Sequence, residues 1–234
     1  LLAVVAGHVL TGPQDFVGGG YLKPFGDEHT PALVLLFAAL VTGFGVKAAL
    51  VPLHGWLPLA MVAPAPVSAL LHAVAVVKAG AFAIVRVVYE VFGVEFAATL
   101  GVLTPLAIVA AVTILYGSLR ALMQDELKKR LAYSTVSQVS YIVLGTALLG
   151  PIATIGAMVH LVHQGLMKIT LFFSAGNYAE TLGVHHVSEM DGIGRRMPLT
   201  TAAFTVGALG MIGVPPVAGF VSKLYLGAGA AQAG

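Results

Sequence analysis

Three lysines stand inside long apolar runs. Lys47 lies in ALVLLFAALVTGFGVKAALVPL, Lys78 in SALLHAVAVVKAGAFAIV and Lys168 in IATIGAMVHLVHQGLMKITLFF. An ammonium at the centre of a bilayer costs about 2.5–3.5 kcal/mol on insertion scales. Side chains near a helix end can snorkel to the interface, but these three lie well inside their runs. Ionisable groups kept in such surroundings usually belong to an ion or proton path. Amines and imidazoles set along one hydrated row can hand a proton down it.

The neighbours of these lysines extend that reading. His160, Gln164 and Lys168 recur at i, i+4 and i+8, one stripe down a helix. His163 lies off the stripe and can join it from the side. The stripe can also be read as a polar seam between helices, which suits Gln164 better than Lys168. His72 and Lys78 share one apolar segment six residues apart, about 120° around a continuous helix, and can still flank one wet cavity. His72 reads equally well as a satisfied core histidine. Lys47 precedes Pro52, with Gly43 and Gly45 in the same stretch. Proline lacks an N–H, so the helix should break near Pro52 and free backbone carbonyls. Membranes tolerate such breaks where backbone is buried in protein or faces water. Pro215 and Pro216 predict another break beside Lys223, which either anchors lipid headgroups or fixes that break.

Composition fixes the class of element that positions these residues. Of 234 residues, 58% are hydrophobic and 9% charged, with a mean hydropathy of +0.95. Soluble domains carry about 25% charged residues. Several runs reach the roughly 20 apolar residues of a membrane span, and strand alternation is missing. The expected fold is all-α, a polytopic transmembrane helix bundle forming one domain over 1–234. The chain starts in what reads as the tail of a helix and ends without a clear stop, so it reads as an internal piece of a longer protein. The segmentation predicts a polar loop over 12–30, a broken apolar segment over 31–61, and helices over about 67–92, 97–121, 131–150, 152–177 and 199–218. Loops 119–130 and 178–198 hold most of the Lys and Arg outside the apolar runs, which places both on the cytoplasmic side.

Other chemistries find little support. With no cysteine, disulfides, thiolate zinc sites and ordinary iron–sulfur ligation are excluded within the chain. His185 and His186 have no spaced partners, so no metal and no cofactor is expected. A formal net charge of +2 gives no basis for nucleic-acid binding.

Four stretches resemble the antiporter-like subunits shared by respiratory complex I, Mrp-type cation/proton antiporters and membrane-bound hydrogenases. They are GVKAALVPLHGWLPLAMVAPAPVSALLHA (45–73), DELKKRLAYSTVSQVSYIVLG (125–145), HLVHQGLMK (160–168) and GVPPVAGFVSKLYL (213–226), in the order the family has them. The resemblance implies that Lys47 is the pumping lysine before the broken half-helix. It also implies that His72, Lys78, His160 and Lys168 are the central titratable positions. The family's second histidine of the HxxxHxxxK pattern falls on Gln164, with His163 displaced by one. A glutamate partner for Lys47 is implied upstream of this stretch, and a charge ending the path after Leu226.

The resemblance implies proton translocation by a subunit of a multi-subunit complex of the NADH:quinone oxidoreductase, Mrp or membrane-hydrogenase type. The expected location is the inner membrane of a prokaryotic cell. Expected partners are other membrane subunits, the lipid bilayer, protons and, in an Mrp-type alternative, Na+. Any redox chemistry belongs to the partners. The competing readings are a sodium/proton antiporter subunit, a bicarbonate-uptake relative of the same fold, and a non-conducting structural subunit.

Overall fold

The computed structural model of the protein describes residues 2–12 and 19–233. The helices are α1 (Leu2–Thr11), α2 (Gly26–Ala48), α3 (Trp56–Leu59), α4 (Ala65–Ala73), α5 (Val76–Arg86), α6 (Val94–Thr99), α7 (Leu103–Leu122), α8 (Leu127–Ala147), α9 (Pro151–Leu182), α10 (Ile193–Arg196), α11 (Pro198–Ile212) and α12 (Ala218–Ala233). Among the described residues the only bridge between extended segments is one antiparallel pair, Glu126 with His186. The all-α polytopic bundle expected from composition is the fold observed.

Four helical segments are long and apolar enough to cross a bilayer: Thr30–Ala48, Ala65–Phe92, Leu103–Leu122 and Pro151–Leu182. The helix α8 is equally long but carries Ser134, Thr135, Ser137, Gln138 and Ser140. It lies between α7 and α9, so these groups face protein and not lipid. They serve packing: the Thr135 and Ser140 hydroxyls bond the carbonyls one turn back, and Ser137 pairs with Ser118 of α7 at 2.8 Å. The helix α9 forms the centre, with α4, α8, α11 and α12 packed on it, while α5 joins α2 to α8.

The expected segments are present, with boundaries that differ in several places: the helix expected over 97–121 is divided into α6 and α7, and the one expected over 152–177 runs on to Leu182. The polar loop expected over 12–30 ends earlier, because α2 starts at Gly26; residues 13–18 of that loop lie outside the described residues. The helix expected over 67–92 is interrupted at Val74–Ala75 and changes to π-helical turns over Val87–Phe92. At the interruption Ala75 N–H bonds the Leu70 carbonyl five residues back, an extra residue in the turn. No proline marks this place. The helix expected over 199–218 ends at Ile212, and α12 begins at Ala218 beyond Pro215 and Pro216.

The breaks at Pro52 and at Pro215–Pro216 are both present. At the former, α2 closes on Ala49, whose φ of 56° is left-handed. Ala49 N–H returns to the Val46 carbonyl and Leu50 N–H to Gly45, a Schellman closure with alanine in the usual place of glycine. Trp56 Nε1 donates to the same Val46 carbonyl at 2.7 Å, and Val51 N–H reaches Thr113 Oγ1 of α7 at 3.1 Å. The unwound segment is therefore hydrogen-bonded on both sides, as a break inside a membrane requires.

The Lys/Arg-rich loops meet on one side. Leu127 N–H donates to the His185 carbonyl at 2.9 Å and Val187 N–H to Asp125 at 2.8 Å. Lys128 Nζ reaches across to the Ala63 carbonyl at 2.6 Å. On the opposite side Leu22 N–H bonds Val91 and Lys23 lies 3.6 Å from Glu95. Arg86 and Glu90 form an i, i+4 ion pair there.

Candidate functional site

Three interruptions bring lysines to helix ends, and each lysine meets a different environment. Lys78 sits in the first turn of α5, just past the Val74–Ala75 interruption. It is 8% exposed, and its ammonium donates to the Leu161 carbonyl of α9. The contact passes over Gly165: a Cβ there would lie 2.0 Å from Lys78 Nζ and 2.9 Å from the Ala73 carbonyl. Only glycine leaves room for the amine to reach α9.

Lys168 stands in the unbroken middle of α9 and is fully buried. Its Nζ donates to the Leu131 carbonyl of α8 at 3.0 Å, an oxygen that also accepts from the Thr135 hydroxyl. His72 is fully buried as well, with its ring 4.7 Å from that of Phe172, one turn beyond Lys168. Neither ring nitrogen of His72 has a protein partner among the described residues. The expected 120° offset between His72 and Lys78 presumed a continuous helix. The extra residue at the interruption lets both side chains project onto α9 instead.

His160 and Gln164 complete the stripe on α9, both fully buried. His160 Nδ1 pairs with Ser222 Oγ of α12 at 2.9 Å, and its Nε2 is unpartnered. Both amide atoms of Gln164 are buried without a partner. His163 is half-buried beside the stripe, its Nδ1 also without a partner. A seam that merely glued helices together would satisfy these atoms.

Lys223, on α12 after the second break, donates to the Met211 and Ile212 carbonyls at 2.7 and 3.1 Å and lies 5.6 Å from the Tyr141 ring centre. It caps the C-terminal end of α11, where a cation complements the free carbonyls. Of its two expected roles, fixing the break is the one the geometry supplies. Through Ser222 and Tyr141, whose ring is edge-on to His160 at 5.8 Å, this end of the site adjoins the stripe.

Lys47 departs from expectation. Its position suggested a lysine well inside a span, but it lies in the last turn of α2 and is exposed on this chain's surface. The helix stops one residue later, so Lys47 borders the unwound segment and lines a groove with Ala3, Val4, Ala39 and Gly43. Its helix is held close to α5, since a Cβ on Gly80 would meet Lys47 Cβ at 2.7 Å. Lys47 is thus joined to the Lys78 helix through backbone contact, while its ammonium faces away from the stripe's core.

Several contributing residues carry no sequence signal of their own. Gly165, Ser222, Thr113 and the carbonyls of Leu131 and Leu161 become visible only in three dimensions. His54 is an exception that the PLHGW stretch displays: it follows the first break, lies edge-on to Tyr116 at 4.8 Å, and buries an unpartnered Nδ1. Among the described residues no group of His, Asp and Glu could hold a metal ion.

A family model described as the transmembrane region of NADH:quinone oxidoreductase and Mrp antiporter subunits matches residues 2–234. The chain belongs to this family. Subunit N of the NADH-quinone oxidoreductase of Desulforudis audaxviator is 45% identical over 215 residues, covering 91% of this chain and 42% of that protein. Subunit L of the same enzyme in Rickettsia typhi is 36% identical over 195 residues, 83% of this chain and 29% of that protein. The solved Mrp complex of a Dietzia species contains a chain with a TM-score of 0.88 and 30% identity, covering 99% of this chain and 42% of that one. A chain of a membrane-bound sulfane sulfur reductase, an archaeal respiratory complex, gives 0.87 and 29%, covering 99% of this chain and 47% of that one. The resemblance read from four motifs therefore extends over nearly the whole chain. The chain spans less than half the length of these relatives, and within the family they include subunits of more than one kind of membrane complex.

Proposed function

We propose that this chain is the central part of a proton-translocating membrane subunit that works inside a larger complex. The carrying observation is the row on α9: Gln164, His160 and the facing His72 are fully buried with unpartnered polar atoms, along the helix that carries the buried Lys168 and accepts from the buried Lys78. Leaving such an atom unpaired costs about 1–3 kcal/mol. Water inserted between them would satisfy these atoms and join the two amines into one proton wire. Lys47 faces outward beside the first break, and its place at the head of the path rests on the family resemblance. The charge that the resemblance implies after Leu226 is not among residues 227–234, which carry no ionisable side chain, and the last cation within this stretch is Lys223.

Charging one amine disfavours charging its neighbour, because like charges repel strongly in a low-dielectric interior. A push applied at one end, by a redox or ion-driven partner, can therefore travel along the row. Protons fit this site better than Na+. Sodium wants oxygen ligands, yet no described carboxylate is buried, and the unpartnered buried atoms of the row are mainly nitrogen. The other membrane subunits of the complex would supply the driving reaction.

The test is proton pumping by the full-length parent complex in inverted membrane vesicles, with assembly checked on native gels. Lys47→Ala and Lys168→Ala should each abolish pumping in an assembled complex. Lys168→Arg should impair it nearly as much, because guanidinium does not release its proton. Normal pumping by Lys168→Arg would remove Lys168 from the path, and normal pumping by all three variants would leave the subunit structural.

A further inference from the structure

Ser222 hydrogen-bonds the row on α9 from the helix that follows the second break. It lies in the second turn of α12, beyond Pro215 and Pro216, and is fully buried. Glycines bring α12 that close. A Cβ on Gly219 would lie 1.8 Å from the Gly210 carbonyl of α11, and one on Gly156 of α9 would lie 2.8 Å from the Leu226 nitrogen. At this approach a short side chain spans the gap, and Ser222 Oγ stands 2.9 Å from His160 Nδ1.

The direction of that bond follows from a count of protons. A serine hydroxyl has one proton to give and two lone pairs to accept with. Ser222 Oγ gives its proton to the Gly219 carbonyl at 3.1 Å, one turn back. A lone pair is what remains for His160, so Nδ1 carries the hydrogen and donates it. A neutral imidazole holds a single N–H, and its other nitrogen is then an acceptor. That nitrogen is Nε2, which is buried and has no partner among the described residues. The opposite tautomer would turn the Ser222 proton onto Nδ1, keeping one of the two bonds and losing the other. It would also leave a buried Nε2–H in need of an acceptor. The Gln138 backbone of α8 lies beside the ring, yet Nε2 forms no hydrogen bond.

We infer that Ser222 is a positioning residue: it fixes His160 in the Nδ1–H tautomer and leaves the bare Nε2 as the ring's proton-accepting nitrogen. The inference rests on the proton-conducting reading of the α9 row. In each event a proton adds to Nε2 to give the imidazolium, and the same nitrogen later returns it. Nδ1–H stays on Ser222 throughout, and no other bond changes. The Nδ1 side does not hand the proton on, because the Ser222 proton points at a carbonyl that cannot keep one. The adjacent Lys223 is itself engaged with the Met211 and Ile212 carbonyls. One turn of α12 therefore caps α11 and sets the ring on α9, which gives the second break a task beyond placing a lysine.

The first test is solid-state NMR of the full-length protein in bilayers, with histidine labelled in 13C and 15N and His160 assigned by its loss in His160→Gln. The proton-bearing nitrogen should correlate with Cγ and the bare one with Cδ2. A neutral ring with its proton on the nitrogen bonded to Cδ2, or a doubly protonated ring at neutral pH, would overturn the assignment. Ser222→Ala should move the ring mainly to the Nε2–H form, with Gln138 beside it. Pumping by the assembled complex in inverted vesicles should then slow about fivefold, the population ratio that one ordinary hydrogen bond sets. Ser222→Thr keeps the hydroxyl and should restore both readouts. A serine that merely packs would slow pumping without moving the tautomer, and that result would overturn the proposal, as would a moved tautomer with wild-type pumping. Should neither variant assemble, the wild-type spectrum decides alone. If Lys168→Ala pumps normally in the same vesicles, the proton-conducting reading has failed instead, and the spectrum still decides the tautomer.

Discussion

Gly165 makes the sharpest residue-scale case that Lys78 is placed and not merely tolerated. The Lys78 ammonium occupies the volume a Cβ would need, and its acceptor is a backbone carbonyl one turn away on the same helix. Gly165→Ala should therefore push the amine off Leu161 without altering any titratable group. In vesicles it should lower pumping nearly as far as Lys78→Ala, and the double variant should be no worse than either alone, since both act on one contact. Additive losses would mean that Gly165 matters only for helix packing. The two histidines allow a ranking. His160 is fully buried and held by Ser222, whereas His163 is half-buried at the edge, so His160→Ala should reduce pumping more than His163→Ala. The reverse order would place the path on the other side of α9. The sequence displayed the lysines and histidines because a cation in an apolar run is conspicuous. It could not display their partners, because Lys78, Lys168 and Lys223 all bond backbone carbonyls, which every residue has. Nor could it show that Lys47 faces outward, which depends on where α2 stops.

At the scale of elements, the site is made where helices end or are interrupted within the bundle. The breaks beside Pro52 and Pro215 were legible, because a missing N–H leaves a carbonyl without a donor wherever the proline falls. The break at Val74–Ala75 was not. Its residues are alanine and valine, and it consists of one extra residue in a turn, held by the packing of α4 and α5 on their neighbours. The first break has a specific fastening that can be removed. Val51 N–H has Thr113 Oγ1 as its acceptor, and Thr113 in turn donates to the Val109 carbonyl at 2.7 Å. Thr113→Val keeps the shape and deletes the acceptor. It should destabilise the purified full-length protein by about 1 kcal/mol, the low end for an unpaired donor, because Val51 is only partly buried. Thermal unfolding in detergent would report it, and Thr113→Ser should restore most of the loss. Equal stability for Val and Thr would mean that the unwound segment is held by packing and by Trp56 instead.

For the molecule as a whole, the Lys/Arg-rich side is tied together by carboxylates whose proton affinity is set by the ties themselves. Hydrogen bonds from the Ser188 hydroxyl and amide hold the Asp125 carboxyl below the usual aspartate range. The His185 and His186 amides do the same for Glu189. A group with a lowered folded-state value adds stability above its ordinary value and loses that contribution as pH falls through the lowered one. The clasp between the α7–α8 and α9–α10 loops should accordingly be unchanged from pH 5 upward and should open in acid, below about pH 4. Hydrogen-exchange protection of residues 184–190, corrected for the intrinsic pH dependence of exchange, would show the step. Asp125→Asn should flatten it, because an amide oxygen still accepts from Ser188 and no longer titrates. Asp125→Ala should lower protection at every pH. A step that persists unchanged in Asp125→Asn would assign the acid response to Glu189 alone. A step centred well above the carboxylate range would assign it to neither Asp125 nor Glu189.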